Sequence, residues 1–150
     1  MKRQIARTLA AAALMLSPNY AQAAGQSFEG AWNLTHDCKE APGGGDAFTV
    51  FYPAKVDKNG NIDGMRRKKG VDGYFHLTGH INPDGTTDNL NMEGQTDLPK
   101  YNVKHVNAGI KFRYPLSGSF TSDEAILKRG DGQRDCTITL RRGSHGPSPR

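Results

Sequence analysis

Two cysteines carry the clearest chemical signal in this sequence. Cys38 and Cys136 are its only cysteines, and they lack the Cys-x-x-Cys spacing of redox-active pairs. An even number of cysteines in a small exported chain predicts one structural disulfide. A pair of free or metal-binding thiols is the alternative.

The histidines are the next residues that could bind a metal. His76 and His80 are four residues apart, a spacing that suits a helical metal site but spans about 13 Å along a strand. Because the surrounding sequence is strand-like, we predict no metal site. His36 follows Trp32 and Leu34 on the apolar face of another predicted strand. In that position His36 is predicted to be a buried imidazole. Its ring either faces a ligand or has its hydrogen bonds satisfied by the protein itself.

Basic residues are concentrated in one short run, which comprises Arg66, Arg67, Lys68 and Lys69. The run could bind an anion or an acidic partner, and it could equally be a solvated loop. No aromatic residues are interleaved with these cations, so the run does not predict a surface that binds nucleic acid.

Residues 95–107 form the longest stretch without strand periodicity. Long loops in compact domains are often functional, which makes Tyr101 and His105 candidate contact residues. An ordered connection between two strands is the alternative for this stretch.

Motifs that mark catalytic sites are missing from the sequence. It has no Gly-x-Ser-x-Gly elbow, no His-Glu-x-x-His zinc motif and no phosphate-binding loop. A disulfide would also leave no cysteine nucleophile. We therefore predict a protein that is not an enzyme, with no catalytic residue and no cofactor.

Period-two alternation of apolar residues predicts that these candidates are positioned by β-strands. Turn sequences such as Asp57-Lys58-Asn59-Gly60 and Pro83-Asp84-Gly85 separate the strands. Pro115 interrupts the sixth strand and predicts an edge or a bulge. The predicted strands lie near residues 28–38, 48–56, 61–66, 73–82, 90–92, 110–120, 125–129 and 136–140.

Short strands with glycine-rich turns predict an all-β fold, a small antiparallel barrel of about eight strands, with a sandwich as the alternative. Cys38 ends the first predicted strand and Cys136 begins the last. Antiparallel pairing of these two strands would bring the sulfurs together and close the barrel, although a sandwich with a bridge between its sheets predicts a similar pattern. The residues predicted to point inward are Trp32, Leu34, Phe48, Val50, Phe75, Leu77, Ile110, Phe112, Ile138 and Leu140.

The N-terminal segment matches a secretory signal peptide. Residues 1–7 carry three basic residues and no acid, residues 9–16 are apolar, and Ala21-Gln22-Ala23 offers small residues to a signal peptidase. The apolar run is too short to span a membrane, so we expect cleavage after Ala23 and a periplasmic or secreted protein. The chain is predicted to comprise a signal peptide (1–23), a single β domain (24–143) and a flexible tail (144–150).

Loss of the signal peptide also changes the charge of the protein. It removes three of the 20 basic residues and none of the 15 acidic residues, so the net charge falls from +5 to about +2. This remaining charge is too small to predict a nucleic-acid partner. The length and the 35% of hydrophobic residues fit one small domain, which we expect to be a monomer.

Four segments of the sequence carry a resemblance to other proteins. They are Phe28–Trp32 (Phe-Glu-Gly-Ala-Trp), Cys38, Asn82–Gly85 (Asn-Pro-Asp-Gly) and the cysteine-bearing Asp135–Arg142. In these features the chain resembles a group of small exported proteobacterial β-barrel proteins, largely uncharacterised, with an early Phe-x-Gly-x-Trp and one pair of cysteines. In architecture it is also similar to periplasmic β-barrel inhibitors of proteases or lysozymes. The resemblance implies a stapled barrel and carries no assigned chemistry.

Two functions fit these observations. The first is an exported, non-catalytic binding or interaction protein, inhibitor-like, whose loops contact a protein partner through Arg66–Lys69 and Tyr101. The second is a lipocalin-like carrier of a small apolar ligand, because eight strands can enclose one such molecule. An interior cavity would favour the carrier, and a filled interior would exclude it.

Overall fold

The structure, a computed structural model, describes residues 26–143. The predicted signal peptide and tail therefore lie outside the described residues. Each strand pairs antiparallel with its neighbours, and the sheet closes into a barrel of eight strands, which confirms the predicted all-β barrel. The strands are β1 (Gly30–Cys38), β2 (Phe48–Val56), β3 (Asn61–Arg66), β4 (Phe75–Ile81), β5 (Thr87–Gln95), β6 (Lys111–Phe120), β7 (Glu124–Arg129) and β8 (Cys136–Arg142).

Pairing of β1 with β8 closes the barrel. The antiparallel register runs from Trp32 opposite Arg142 to Cys38 opposite Cys136. The two cysteines form a disulfide, with their Cα atoms 4.1 Å apart. The bridge thus joins the end of the first strand to the start of the last, as the positions of the cysteines predict.

The two ends of the barrel differ in the length of their connections. At one end, here called the closed end, residues 57–60, 82–86 and 121–123 make short turns. At the other, the open end, the connections are longer: the 39–47 loop, the 67–74 loop, the 96–110 loop and the 130–135 loop. Two short 3-10 turns, Pro99–Tyr101 and Val103–His105, lie in the 96–110 loop. Within residues 26–143, no helix is long and apolar enough to cross a membrane.

Aromatic side chains fill the interior near the closed end. The ring of Trp32 packs edge-on against Phe120 at 5.4 Å, and Phe28 packs against Phe120 at 5.9 Å. Trp32 Nε1 donates a hydrogen bond to the carbonyl oxygen of Phe28 at 3.0 Å. The guanidinium of Arg142 lies over the Trp32 ring at 4.9 Å. The interior at the closed end is therefore filled by packed aromatic side chains.

Two local predictions were wrong. Ile110 is 47% exposed and precedes β6, so its side chain lies at the rim of the barrel instead of its interior. Pro115 lies neither on an edge nor at a bulge, because the barrel is closed and the registers of β6 run without a shift. β6 pairs with β5 as far as Pro115 and with β7 from Leu116. The missing N–H of Pro115 thus falls where β6 changes partner.

Candidate functional site

The open end of the barrel contains a cavity of about 840 Å³. This volume lies within the range of pockets that hold small organic ligands. Strands β2, β4 and β6 supply its inner wall, and the 96–110 loop covers part of its mouth. Aromatic rings from both regions line it, those of Phe48, Phe75, Tyr101, Phe112 and Tyr114.

Four of these rings, from β2, β4 and β6, form a continuous wall because they occupy inward positions on their strands. Phe48 and Phe75 lie 6.0 Å apart, and Phe75 lies 5.6 Å from Phe112. Phe112 stacks on Tyr114 with centroids 5.8 Å apart. Such a surface offers apolar and edge-to-face contacts to a ligand body.

His36 lies beneath this wall with no solvent exposure. Its ring packs against Phe75 at 4.8 Å and Phe48 at 5.6 Å. Its Nε2 lies 3.3 Å from the Tyr114 hydroxyl and 3.2 Å from Cys38 Sγ. Its Nδ1 has no hydrogen-bond partner among the described residues. The imidazole is thus buried under the cavity, and only one of its two ring nitrogens has hydrogen-bond partners.

Burial keeps the His36 imidazole neutral. Desolvation is the main cause that lowers its pKa to about 3, and repulsion from Arg129, Arg134 and Arg66 lowers it further. Burial also raises the pKa of Tyr114 above its ordinary value of 10, which moves the titration of its hydroxyl still further from neutral pH. Neither group adds charge to the cavity at neutral pH.

His36, Cys38 and Cys136 are the one group of potential metal ligands that cluster within the described part of the chain. Their ligand atoms lie within 4.8 Å of one another. Both sulfurs are joined in the disulfide, and metal binding by cysteine requires a thiolate. We therefore assign no metal site to this cluster.

Arg134 ties the open-end loops together. Its Nε donates to the carbonyl of Lys39 at 2.6 Å, and its Nη1 donates to the carbonyl of Tyr101 at 2.6 Å. Its Nη2 donates to the carbonyls of Gly45 and Asp46. The side chain is 4% exposed, and its guanidinium lies over Phe48 at 4.9 Å. One arginine therefore connects three loops and also lines the cavity.

Two further arginines at the cavity have carboxylate neighbours. Arg129 makes a bidentate pair with Asp131 at 2.5 and 2.7 Å, and its guanidinium lies 4.0 Å from the Tyr114 ring. Arg66 Nη1 donates to the carbonyl of Gly73 at 2.8 Å and lies 3.6 Å from Asp97 Oδ2. The pairing of Arg66 is therefore much looser than that of Arg129.

The 96–110 loop is braced from within and against the 39–47 loop. Asn102 is buried, and its Nδ2 donates to the carbonyls of Asp97 and Val106 at 2.7 Å each. The two loops approach closely at Gly45, which has φ +109° and where a Cβ would lie 2.6 Å from the carbonyl oxygen of Asn102. Glycine is needed there for both reasons. The loop is thus an ordered cover over the cavity mouth.

The predicted binding residues separate into two groups. Arg66 and Tyr101 line the cavity, and Arg67 is joined to Arg66 through Asp97 Oδ2, which lies 3.5 Å from Arg67 Nη1. The remaining residues do not line the cavity. Lys68 and Lys69 are exposed on the 67–74 loop, and exposed His105 packs against Gly44 of the neighbouring loop. His105 therefore braces the two loops against each other.

The sequence interpretation missed Arg129 and Arg134. Arg129 could have been found, because it continues the inward series of Ala125 and Leu127 on β7, where a charged residue interrupts an apolar face. Arg66 continues the inward series of β3 in the same way. Arg134 lies in a turn-rich loop without periodicity, and no pattern in the sequence marks its role.

Searches against protein-family models, curated proteins and solved structures found no match for this chain. The resemblance to small exported β-barrel proteins therefore stays a prediction.

Proposed function

We propose that the protein is an exported, non-catalytic carrier that holds a small, largely apolar ligand at the open end of its barrel. The single observation that carries this proposal is the cavity of about 840 Å³ lined by aromatic rings. The sequence left the carrier and the protein-binding module open, with the state of the interior as the deciding feature. A cavity with an apolar wall favours the carrier.

The asymmetry of the barrel supports this proposal. The closed end is filled by Trp32, Phe28 and Phe120, which gives the cavity a solid base. Rims made of long loops are typical of sites that bind ligands on a rigid scaffold. The closed end thus supplies the packed core that stabilises the fold, and the open end supplies the surface that binds the ligand.

The polar groups at the cavity support binding over catalysis. Arg129 and Arg134 are held by carboxylate or carbonyl oxygens, and the His36 imidazole is buried and neutral at pH 7. A general base needs reach to a substrate proton and a pKa near the working pH, and His36 has neither. The disulfide and the N-terminal segment support export, because disulfides persist in oxidising compartments.

One observation favours a second function, the binding of a protein partner. Four apolar side chains are exposed on the open-end loops, those of Val71, Leu98, Val106 and Ile110. Exposed apolar side chains on the loops of one rim offer a surface for interaction. A partner that docks on these loops would contact the rim and would not need the interior of the cavity.

The proposal is tested with a neutral probe and a matched pair of variants. N-phenyl-1-naphthylamine, whose fluorescence rises in apolar surroundings, is titrated into the disulfide-bonded mature protein. Val50 lines the cavity, so Val50→Trp should fill part of it and weaken probe binding at least about tenfold. Phe51 is the next residue on the strand and is 64% exposed on the outer face. Phe51→Trp should leave probe binding unchanged.

Native mass spectrometry of protein purified gently from the periplasm complements the titration. A co-purifying small mass that is lost in Val50→Trp would support the carrier. Absence of both a bound mass and probe binding would refute it. A macromolecular partner that binds wild type and Val50→Trp alike would instead establish the second function.

A further inference from the structure

The charged side chains that line the cavity are mostly cationic. They comprise Arg66, Lys104, Arg129 and Arg134, against the single carboxylate of Asp97. Asp131 compensates Arg129 through their bidentate pair. An excess of positive charge therefore remains around an otherwise apolar cavity.

Arg134 contributes positive charge that no carboxylate offsets directly. Its hydrogen bonds all go to backbone carbonyls, and within residues 26–143 it forms no ion pair. Cationic groups held in surroundings of low dielectric constant act over longer distances than exposed ones. The depressed pKa of His36, to which Arg129, Arg134 and Arg66 each contribute, agrees with a positive potential in this region.

Arg66 is the guanidinium with the most donors to spare. Among the described residues it makes one hydrogen bond, to the carbonyl of Gly73, whereas Arg134 makes four and Arg129 makes two, both to the carboxylate of Asp131 that offsets its charge. Its carboxylate neighbour, Asp97, is shared with Arg67 at 3.5 to 3.6 Å. The guanidinium of Arg66 also lies over the Phe75 ring at 5.9 Å, beside the aromatic wall.

We propose that the ligand is an amphipathic monocarboxylic acid whose carboxylate binds Arg66 and whose apolar body lies on the rings of Phe48, Phe75 and Phe112. The inference rests on the proposed carrier function and adds the chemical class of the ligand. A planar guanidinium matches a carboxylate in geometry and charge. The aromatic wall begins next to Arg66, so one molecule can contact both. Binding of the carboxylate would also offset the excess positive charge.

The test compares three probes that differ in one group: 8-phenyloctanoate, 8-phenyloctan-1-ol and 8-phenyloctylamine. Each displaces N-phenyl-1-naphthylamine from the disulfide-bonded protein at pH 7.5. We expect the acid to bind at least about tenfold more tightly than the alcohol, and the amine to bind most weakly because like charges repel.

Two arginine variants locate the carboxylate. Arg66→Gln should lower the affinity for the acid to that for the alcohol and leave the alcohol unchanged. Arg113 is exposed on the outer face of β6, so Arg113→Gln removes the same charge outside the cavity and should change neither affinity. Thermal unfolding of both variants checks that they fold like the wild type.

The outcomes separate this inference from the carrier function. Equal binding of acid and alcohol by the wild type would overturn the anionic ligand and leave the carrier in place. A loss of acid and alcohol binding alike in Arg66→Gln would overturn the role of its charge. Failure of the naphthylamine probe and of all three phenyloctyl probes to bind would refute the carrier and the inference together.

Discussion

Lowering the pH should destabilise the barrel because of His36. The loss of stability should begin at pH values well above the range in which carboxylates titrate. The folded protein binds a proton at His36 with a pKa of about 3, against an ordinary value of 6.5. Between these values the unfolded chain binds the proton and the folded chain does not. Stability is therefore complete above pH 6.5 and falls as the pH decreases toward 3.

The size of the effect follows from the same two pKa values. Linkage gives a loss of about 2 kcal/mol between pH 7.5 and pH 5, with a slope that approaches about 1.4 kcal/mol per pH unit below pH 6. Groups from several elements act on His36. Arg66, Arg129 and Arg134 disfavour its protonation, and Asp37 on its own strand favours it. Burial is nevertheless the largest cause, so high salt should reduce the loss only in part.

Urea unfolding at a series of pH values measures this loss. His36→Phe replaces the imidazole by a ring of similar shape between Phe48 and Phe75, and it should remove most of the slope between pH 7.5 and pH 5. His80→Gln removes a histidine from the outside of the barrel, beside Asn61, and should retain the slope. An equal slope in wild type and His36→Phe would refute the reasoning. So would an NMR titration in which the His36 ring protonates near pH 6.5 in the folded protein.

Two further predictions concern the ties that hold the open end and close the barrel. Arg134→Met should lower the free energy of unfolding by about 3 kcal/mol, because four carbonyls in the 39–47 and 96–110 loops lose a charged donor. Arg134→Lys should not restore this stability, since a lysine ammonium cannot reproduce the forked set of N–H donors of a guanidinium. Urea unfolding and the rate of proteolysis of the 96–110 loop measure the effect of each variant. Full rescue by lysine would contradict the role of Arg134 in connecting the loops. Replacing Cys38 and Cys136 by alanine should cost about 4–5 kcal/mol, the chain-entropy value for a loop of this length. Unchanged urea stability of the double variant would show that β1·β8 pairing alone holds the closure.

Much of the fold could be predicted because strand patterns are local. Alternation along Trp32, Leu34 and His36 predicted the inward face of β1, and the positions of Cys38 and Cys136 predicted the strand pair that closes the barrel. The error at Ile110 arose because the alternation of apolar residues does not mark where a strand begins. Ile110 continues the apolar period of β6 but lies just before the strand, so the pattern assigned it to the interior.

The candidate site was predicted only in part. Arg66 and Tyr101 were singled out as a charged run and a long loop, and both line the cavity. Lys68, Lys69 and His105 came from the same two segments and lie outside its lining. Composition and loop length identify a segment, whereas the conformation of the loop decides which of its side chains reach the cavity.

The sequence by itself determined the all-β class and the approximate positions of the strands, because the alternation of apolar residues is set within each strand. It favoured a barrel with one disulfide, and the pairing of β1 with β8 decided between that barrel and a sandwich. The tertiary structure alone decided that the open end holds a cavity, that this cavity lies above the inward-facing His36 and that Arg134 connects the loops around it. These features depend on contacts between segments far apart in the chain, such as Arg134 with Lys39 and Tyr101. No local pattern encodes such contacts, since each loop takes its conformation from the others that pack against it.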